Sequence, residues 1–309
     1  MILNPLPQLL CDRNHPAIPD AAPKVVSLPI HQPGSAPVTR GADEPPRRLR
    51  RTRRAFLNAV PLDAITEPQC VEAILSELDA GRGGFVVTHN LDHMRRLDCD
   101  AGFAAVCAEA DIRVSDGMPL VWLSRLLPVR VPVRVAGSSL IHTLTAAAAG
   151  RDRSVYLLGG DEGTAESAAE ALRRVNPALR IAGTLCPSFG FENDRRQMDQ
   201  IIQRLRDAAP DIVYVAVGSP KQEFLIARLR KHLPRAWWLG VGISFSYACG
   251  RVRRPPTWIQ TIGCEWLYRM IQEPRRLIRR YLFEGIPFGL RLCSRCIADL
   301  RNGRPVIYD

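Results

Sequence analysis

Three observations predict an α/β protein. Short β-rich runs alternate with helical stretches, the runs are apolar along most of their length, and a basic segment without strands closes the chain. The expected architecture is a Rossmann-like parallel sheet with helices on both faces, followed by a basic helical C-terminal appendage. Strands covered on both faces read as near-continuous apolar runs, and parallel neighbours need a crossover, which a helix supplies.

Residues 1–54 stand apart. Prolines recur and the segment ends in PPRRLRRTRR, a composition that opposes both a helix and a packed sheet. A disordered Pro/Arg-rich tail is expected here. A core over 55–245 follows. GGFVVT (83–88) reads as a strand and LDHMRRL as a helix; DIRVS (111–115) as a strand and PLVWLSRLL (119–127) as a helix with proline in its first turn. SVYLLGG (154–160), LRIAGTL (179–185), DIVYVAVG (211–218) and AWWLGVG (236–242) read as strands. Helices are expected at TAESAAEALRRV, 194–209 and 221–233. After Ser244 the alternation stops. Residues 246–309 contain the proline-rich RVRRPPTWIQ and then CEWLYRMIQEPRRLIRRYLFEG, where apolar pairs alternate with arginine pairs. On a helix the two sets fall on opposite sides.

The 309 residues carry a net charge of +11, which favours phosphate-bearing partners without choosing among nucleotides, nucleic acids and lipid headgroups. Nine scattered cysteines point to a reducing compartment rather than a disulfide framework. The lone CSRC (293–296) lacks the second pair that zinc usually needs. No apolar run reaches the roughly 18 residues of a membrane span, and no charged-then-apolar leader opens the chain, so a cytoplasmic location is expected.

In a parallel sheet, ligands bind beyond the carboxyl ends of the strands. Four strand ends carry polar groups: Thr88 and Asn90; Asp116 with Gly117; Gly159, Gly160 and Gly163; and Gly218, Lys221, Gln222 and Glu223. Singly, each has an ordinary explanation as a turn, a cap or a tight-turn glycine. LLGGDEGTAES lacks the G-x-G-x-x-G spacing, and no P-loop motif occurs. A helix N-terminus beside glycines nevertheless suits a diphosphate. DCD (98–100) imitates a metal-binding D-x-D but falls in or just after a helix.

VVTHNLDHMRRL, ADIRVSDGMPLVWLSRLL, VRVAGSSL, PDIVYVAVGSPKQEFLI and GCEWLYRMIQEPRRLIRRYL occur in that order. Together they resemble the WecG/TagA/CpsF proteins, glycosyltransferase family 26, over roughly 57–281. The resemblance implies an inverting, metal-independent transferase that uses no cofactor. It would move sugar from a UDP-sugar (UDP-N-acetylmannosamine or UDP-glucose type) to a polyprenyl-diphosphate-linked saccharide for bacterial surface polysaccharide, peripherally on the inner face of the cytoplasmic membrane. It places the catalytic residues at Asp116, the base, and at Thr88, the threonine of the first motif. Asn90, Arg134 and Gln222 take the other motif positions. Ser246 and RRPP depart from the aspartate and the R-A-P often found in the family. Anionic membrane and lipid diphosphate are the expected partners of Arg254, Arg275, Arg276, Arg279 and Arg280; a homo-oligomer stays open. Two other classes compete. A basic nucleic-acid-binding protein would need aromatic-basic interleaving on a sheet or a recognition helix, and neither is found. A nicotinamide-dependent oxidoreductase would need the missing glycine fingerprint.

Overall fold

Six parallel strands form the central sheet of the computed structural model, which describes residues 52–301 except 257, 260–262 and 273; the side chains of 276, 299 and 300 are also outside the description. Most of the tail expected over 1–54 therefore lies outside the described residues. Arg54 itself opens a strand.

The chain begins with a hairpin, β1 (Arg54–Leu57) and β2 (Val60–Asp63). Its two turn residues, Asn58 and Ala59, both have positive φ, at 52° and 64°, as a two-residue hairpin turn requires. Asp63 ties it to the sheet, accepting from Arg54 Nε at 3.1 Å and from the Arg113 backbone N–H at 2.8 Å. There follow α1 (Glu67–Asp79), β3 (Gly84–His89), α2 (Leu91–Cys99), α3 (Ala101–Ala108), β4 (Ile112–Ser115), α4 (Met118–Ser124) and α5 (Gly137–Ala149). Then come β5 (Ser154–Gly159), α6 (Thr164–Val175), β6 (Arg180–Leu185), α7 (Arg195–Ala208), β7 (Ile212–Ala216), α8 (Lys221–Leu229), β8 (Trp237–Gly240) and α9 (Ser244–Ala248).

The sheet order is β4-β3-β8-β7-β5-β6, with every neighbouring pair parallel. Side chains alternate between its faces, so the adjacent Trp237 and Trp238 bury into different cores. Trp237, Tyr214 and Leu157 pack with α1, α5 and α6. Trp238, Val213 and Leu158 pack with α3, α7 and α8. This is the expected sheet with helices on both faces.

The C-terminal segment is α10 (Glu265–Gln272), α11 (Pro274–Ile278), a π-helical turn (Arg279–Gly285) and α12 (Ile286–Arg301). It lies in the same compact unit as the sheet. Phe288, Leu292 and Cys296, four residues apart, pack with Leu57, Leu120 and Met94 in a third core. Each large apolar side chain buried this way contributes about 1.5–3 kcal/mol. Cys296 of CSRC is thus a core thiol.

Here the sequence expectation needs correction: arginines and apolar groups do not divide onto opposite sides. The segment passes through a π turn over Arg279–Gly285, which carries an extra residue and rotates the residues after it. Leu277 is buried, whereas Ile271, Phe283 and Leu290 are 72%, 71% and 69% exposed. Arg280 turns inward, its Nη2 lying 2.6 Å from Asp92 Oδ2. Arg96 and Arg95 also bind Asp92, and Arg95 reaches Glu284 at 2.9 Å. Burial alone would raise the Asp92 carboxyl, but Arg280, Arg96 and Arg95 outweigh it and hold it below the usual range. Arg279 lies 3.5 Å from Glu284, Arg275 is exposed, and the Arg276 side chain is outside the description.

Candidate active site

Asp116 follows β4 directly, and its backbone N–H donates to His89 O at the end of β3 at 2.6 Å. Gly117 then turns the chain into α4 with φ +121°, a conformation an L side chain rarely adopts. The Asp-Gly pair is therefore a turn, but it leaves its carboxylate in a charged setting. Burial pushes the Asp116 carboxyl up to about 6; Arg134 opposes this, Glu265 adds to it, and Arg269 and Arg254 oppose it. Arg134 itself donates to Glu265 Oε2 at the start of α10. The appendage thus reaches the group that surrounds Asp116. Gly263 makes the approach possible: a Cβ there would lie 2.6 Å from Met118 and 3.0 Å from Trp122 of α4.

The other strand ends join unequally. Thr88 is buried near the start of α5, where its Oγ1 lies 3.8 Å from the position a Cβ on Gly137 would take. Arg254 reaches that same helix start, with Nη2 2.8 Å from Ser139 Oγ. Asn90 caps α2 by accepting from the His93 N–H at 3.0 Å. At the end of β5, Gly160 donates to Ala216 O at 2.8 Å, and a Cβ on Gly159 would meet the Ala216 backbone at 2.9 Å. These glycines allow β5 and β7 to close together. Arg251 lies over the following helix start, Nη1 donating to Glu162 O at 2.9 Å and to Thr164 Oγ1 at 2.6 Å. Gly218, two residues after β7, has φ +80°. Lys221 turns to the β6–α7 segment, pairing with Glu192 and lying over the Phe189 ring. Gln222 and Glu223 are 6% and 2% exposed and lie beneath the surface. Ser246 is buried in α9. In DCD, Asp98 binds Arg295 at 3.0 Å and Asp100 caps α3.

Several residues of this setting carry no signal in the sequence strong enough to single them out. Glu265 and Arg269 follow Asp116 by about 150 positions, and only the folded chain brings them together. Ser138 and Ser139 lie in VRVAGSSL, inside the first turn of α5 and not at its N-cap, where serine would be a signal.

A carboxylate with its pKa moved toward neutrality, set among arginines at the carboxyl edge of a parallel sheet, is the kind of setting found at α/β enzyme sites. Comparison with known proteins narrows the class. The chain belongs to the glycosyl transferase WecG/TagA/CpsF family, whose model matches residues 55–302, and it is a glycosyltransferase. It is 31% identical over 199 residues to the N-acetylglucosaminyldiphosphoundecaprenol N-acetyl-beta-D-mannosaminyltransferase of Bacillus spizizenii. It is 32% identical over 199 residues to the enzyme of that name from Bacillus subtilis strain 168. Each match covers 64% of this chain and 75% of the relative.

The raised pKa has two consequences. A carboxylate can act as a base only when ionised, so the role that the sequence resemblance assigns to Asp116 predicts transfer that rises with pH through about 6 and then levels off. Folding runs the other way. The folded carboxyl binds its proton more tightly than the unfolded one, which titrates near ~3.9, so the Asp116 contribution to stability falls as pH rises from about 4 to about 6. A pH–rate profile and denaturant midpoints across that window check both; a flat rate profile between pH 5 and 7 would remove Asp116 from the proton transfer.

Proposed function

We propose that this chain transfers a sugar from a UDP-sugar, of the UDP-N-acetylmannosamine or UDP-glucose type, to a polyprenyl-diphosphate-linked saccharide. The reaction is inverting and takes place at the inner face of a cytoplasmic membrane. The observation that carries the proposal is Asp116, a carboxylate of raised pKa facing Arg134, Arg254 and Arg269. The names of the two Bacillus relatives support the acceptor class. In the step proposed, an acceptor hydroxyl oxygen attacks the anomeric carbon while Asp116 takes the hydroxyl proton. The bond from that carbon to the UDP oxygen breaks, and UDP leaves with the electron pair. Arg134, Arg254 and Arg269 supply the positive field for the departing diphosphate. In this reading Thr88 and Asn90 are assigned to the acceptor, and the Gly159–Gly160 and Gly218 turns to the donor.

Two observations favour peripheral membrane attachment. No helix among the described residues is long and apolar enough to cross a membrane. The appendage nevertheless leaves Ile271, Phe283, Ile286 and Leu290 exposed, beside the exposed basic residues Arg275 and Arg279. Apolar and cationic groups together suit an anionic interface.

The test is radiolabel transfer from a panel of UDP-sugars to polyprenyl-diphosphate-linked N-acetylglucosamine. Label in the lipid fraction from one donor supports the proposal; label from none, with a different nucleotide-sugar active, refutes it. Activity is further expected to survive EDTA, because guanidinium groups can take the diphosphate charge. Complete loss on chelation, restored by magnesium or manganese, would return attention to Asp98 and Asp100.

A further inference from the structure

Gln222 and Glu223 begin α8 and lie under the end of β8. Glu223 is a carboxylate with 2% exposure. Its Oε1 accepts from Gln222 Nε2 at 2.8 Å, and its Oε2 has no hydrogen-bond partner. His93 Nε2 stands 4.0 Å away, and burial holds that imidazole below its ordinary pKa despite Glu223 and Asp92. His89, whose ring meets His93 edge-on at 5.9 Å, is also buried, and neither of its ring nitrogens has a partner. A carboxylate is costly to bury, and one whose described hydrogen bond goes to the next residue breaks a local rule that folds usually keep.

The bond has a specific effect on Gln222. A side-chain amide can present either end, and its neighbours decide which. Here a carboxylate oxygen, which only accepts, faces the NH2 group. The Gly242 N–H, which only donates, faces Oε1 at 3.1 Å. The carboxamide packs against the last residue of β8, where a Cβ on Gly240 would come within 2.6 Å of Nε2. Gly242 belongs to the turn between β8 and α9. Beyond that turn, Phe245 packs on Gly160, Arg251 reaches the start of α6 and Arg254 reaches Ser139.

We infer that Glu223 is a positioning residue: it orients the Gln222 carboxamide, which clamps the β8–α9 turn and so sets Arg251 and Arg254 at the strand ends. It acts through Gln222 and touches no substrate. The inference rests on the strand ends being the substrate site, but its first readout needs no substrate.

The experiment compares Glu223→Ala, Glu223→Gln, Gln222→Ala and the double alanine variant in the full chain. Hydrogen exchange at the Gly242 amide is expected to rise about 5–10-fold in Glu223→Ala, the equivalent of one lost hydrogen bond, while exchange in β5 and β7 stays at the parent level. Glu223→Gln keeps an oxygen that can accept and should recover part of the protection. With a UDP-sugar as donor, KM should rise more than kcat falls. The double variant should match Gln222→Ala rather than add to it. Unchanged Gly242 exchange, additive effects, or faster exchange throughout the sheet would each overturn the inference. If exchange responds as expected but no UDP-sugar is used, the clamp stands and the substrate assignment fails.

Discussion

Asp116→Asn should lower sugar transfer by about 10²–10⁴-fold, the usual cost of losing a general base. The amide keeps the size of the side chain and leaves the turn at Gly117 unaltered, but it cannot take a proton. Binding of UDP should persist, because Arg134, Arg254 and Arg269 remain. Stability at pH 7 should be no lower than the parent's, since the fold disfavours the ionised carboxyl that the substitution removes. Calorimetric UDP titration, thermal unfolding and single-turnover transfer separate these effects. Near-native turnover would reduce Asp116 to a turn residue. Lost activity accompanied by lost UDP binding would instead make it a binding or structural group.

Replacing Ile271, Phe283 and Leu290 together by serine should release the protein from anionic vesicles. Each is about 70% exposed in the absence of a membrane. Burial of a large apolar side chain is worth about 1.5–3 kcal/mol, so removing three should weaken attachment by at least about 10²-fold. Transfer to a long-chain lipid acceptor should fall with it, whereas transfer to a short soluble acceptor should be largely retained. Folding should be preserved because Phe288 and Leu292, which pack in the third core, and the buried Leu277 are untouched. Vesicle sedimentation equal to the parent's would make this surface ordinary solvent-exposed side chains. Arg280→Gln is a contrasting probe. Its guanidinium is held by Asp92, so its loss should loosen the π-helical turn from α2 rather than simply remove a membrane charge.

The central sheet was legible because local pattern and tertiary environment agree there. Strands such as VYLLG and IVYVA are apolar throughout, and both are buried on both faces. Helix α6 falls on the expected twelve residues, with Gly163 before it in the left-handed region. The hairpin was not legible. Its turn is Asn-Ala rather than Asn-Gly, and Pro61 sits in its second strand, where it argues against one unless the strand lies at an edge. Helix α1 carried a readable signal in T-E-P-Q, where Thr66 and Gln69 form a capping box.

By itself, the sequence determined the alternation of elements, the parallel sheet and the four polar strand ends, because each depends on residues within a few positions of one another. It also placed Asp116 at a strand end beside a glycine. Only the tertiary structure decided which charges that carboxylate feels, since Glu265 and Arg269 arrive from an appendage far along the chain. It also decided the faces of that appendage. A helical projection assumes 3.6 residues per turn, and the π turn ends that regularity, with Arg280 inward on Asp92 and Phe283 outward. Burial likewise was decided in three dimensions: Gln222 and Glu223 lie beneath the end of β8, a crossing that no local pattern encodes.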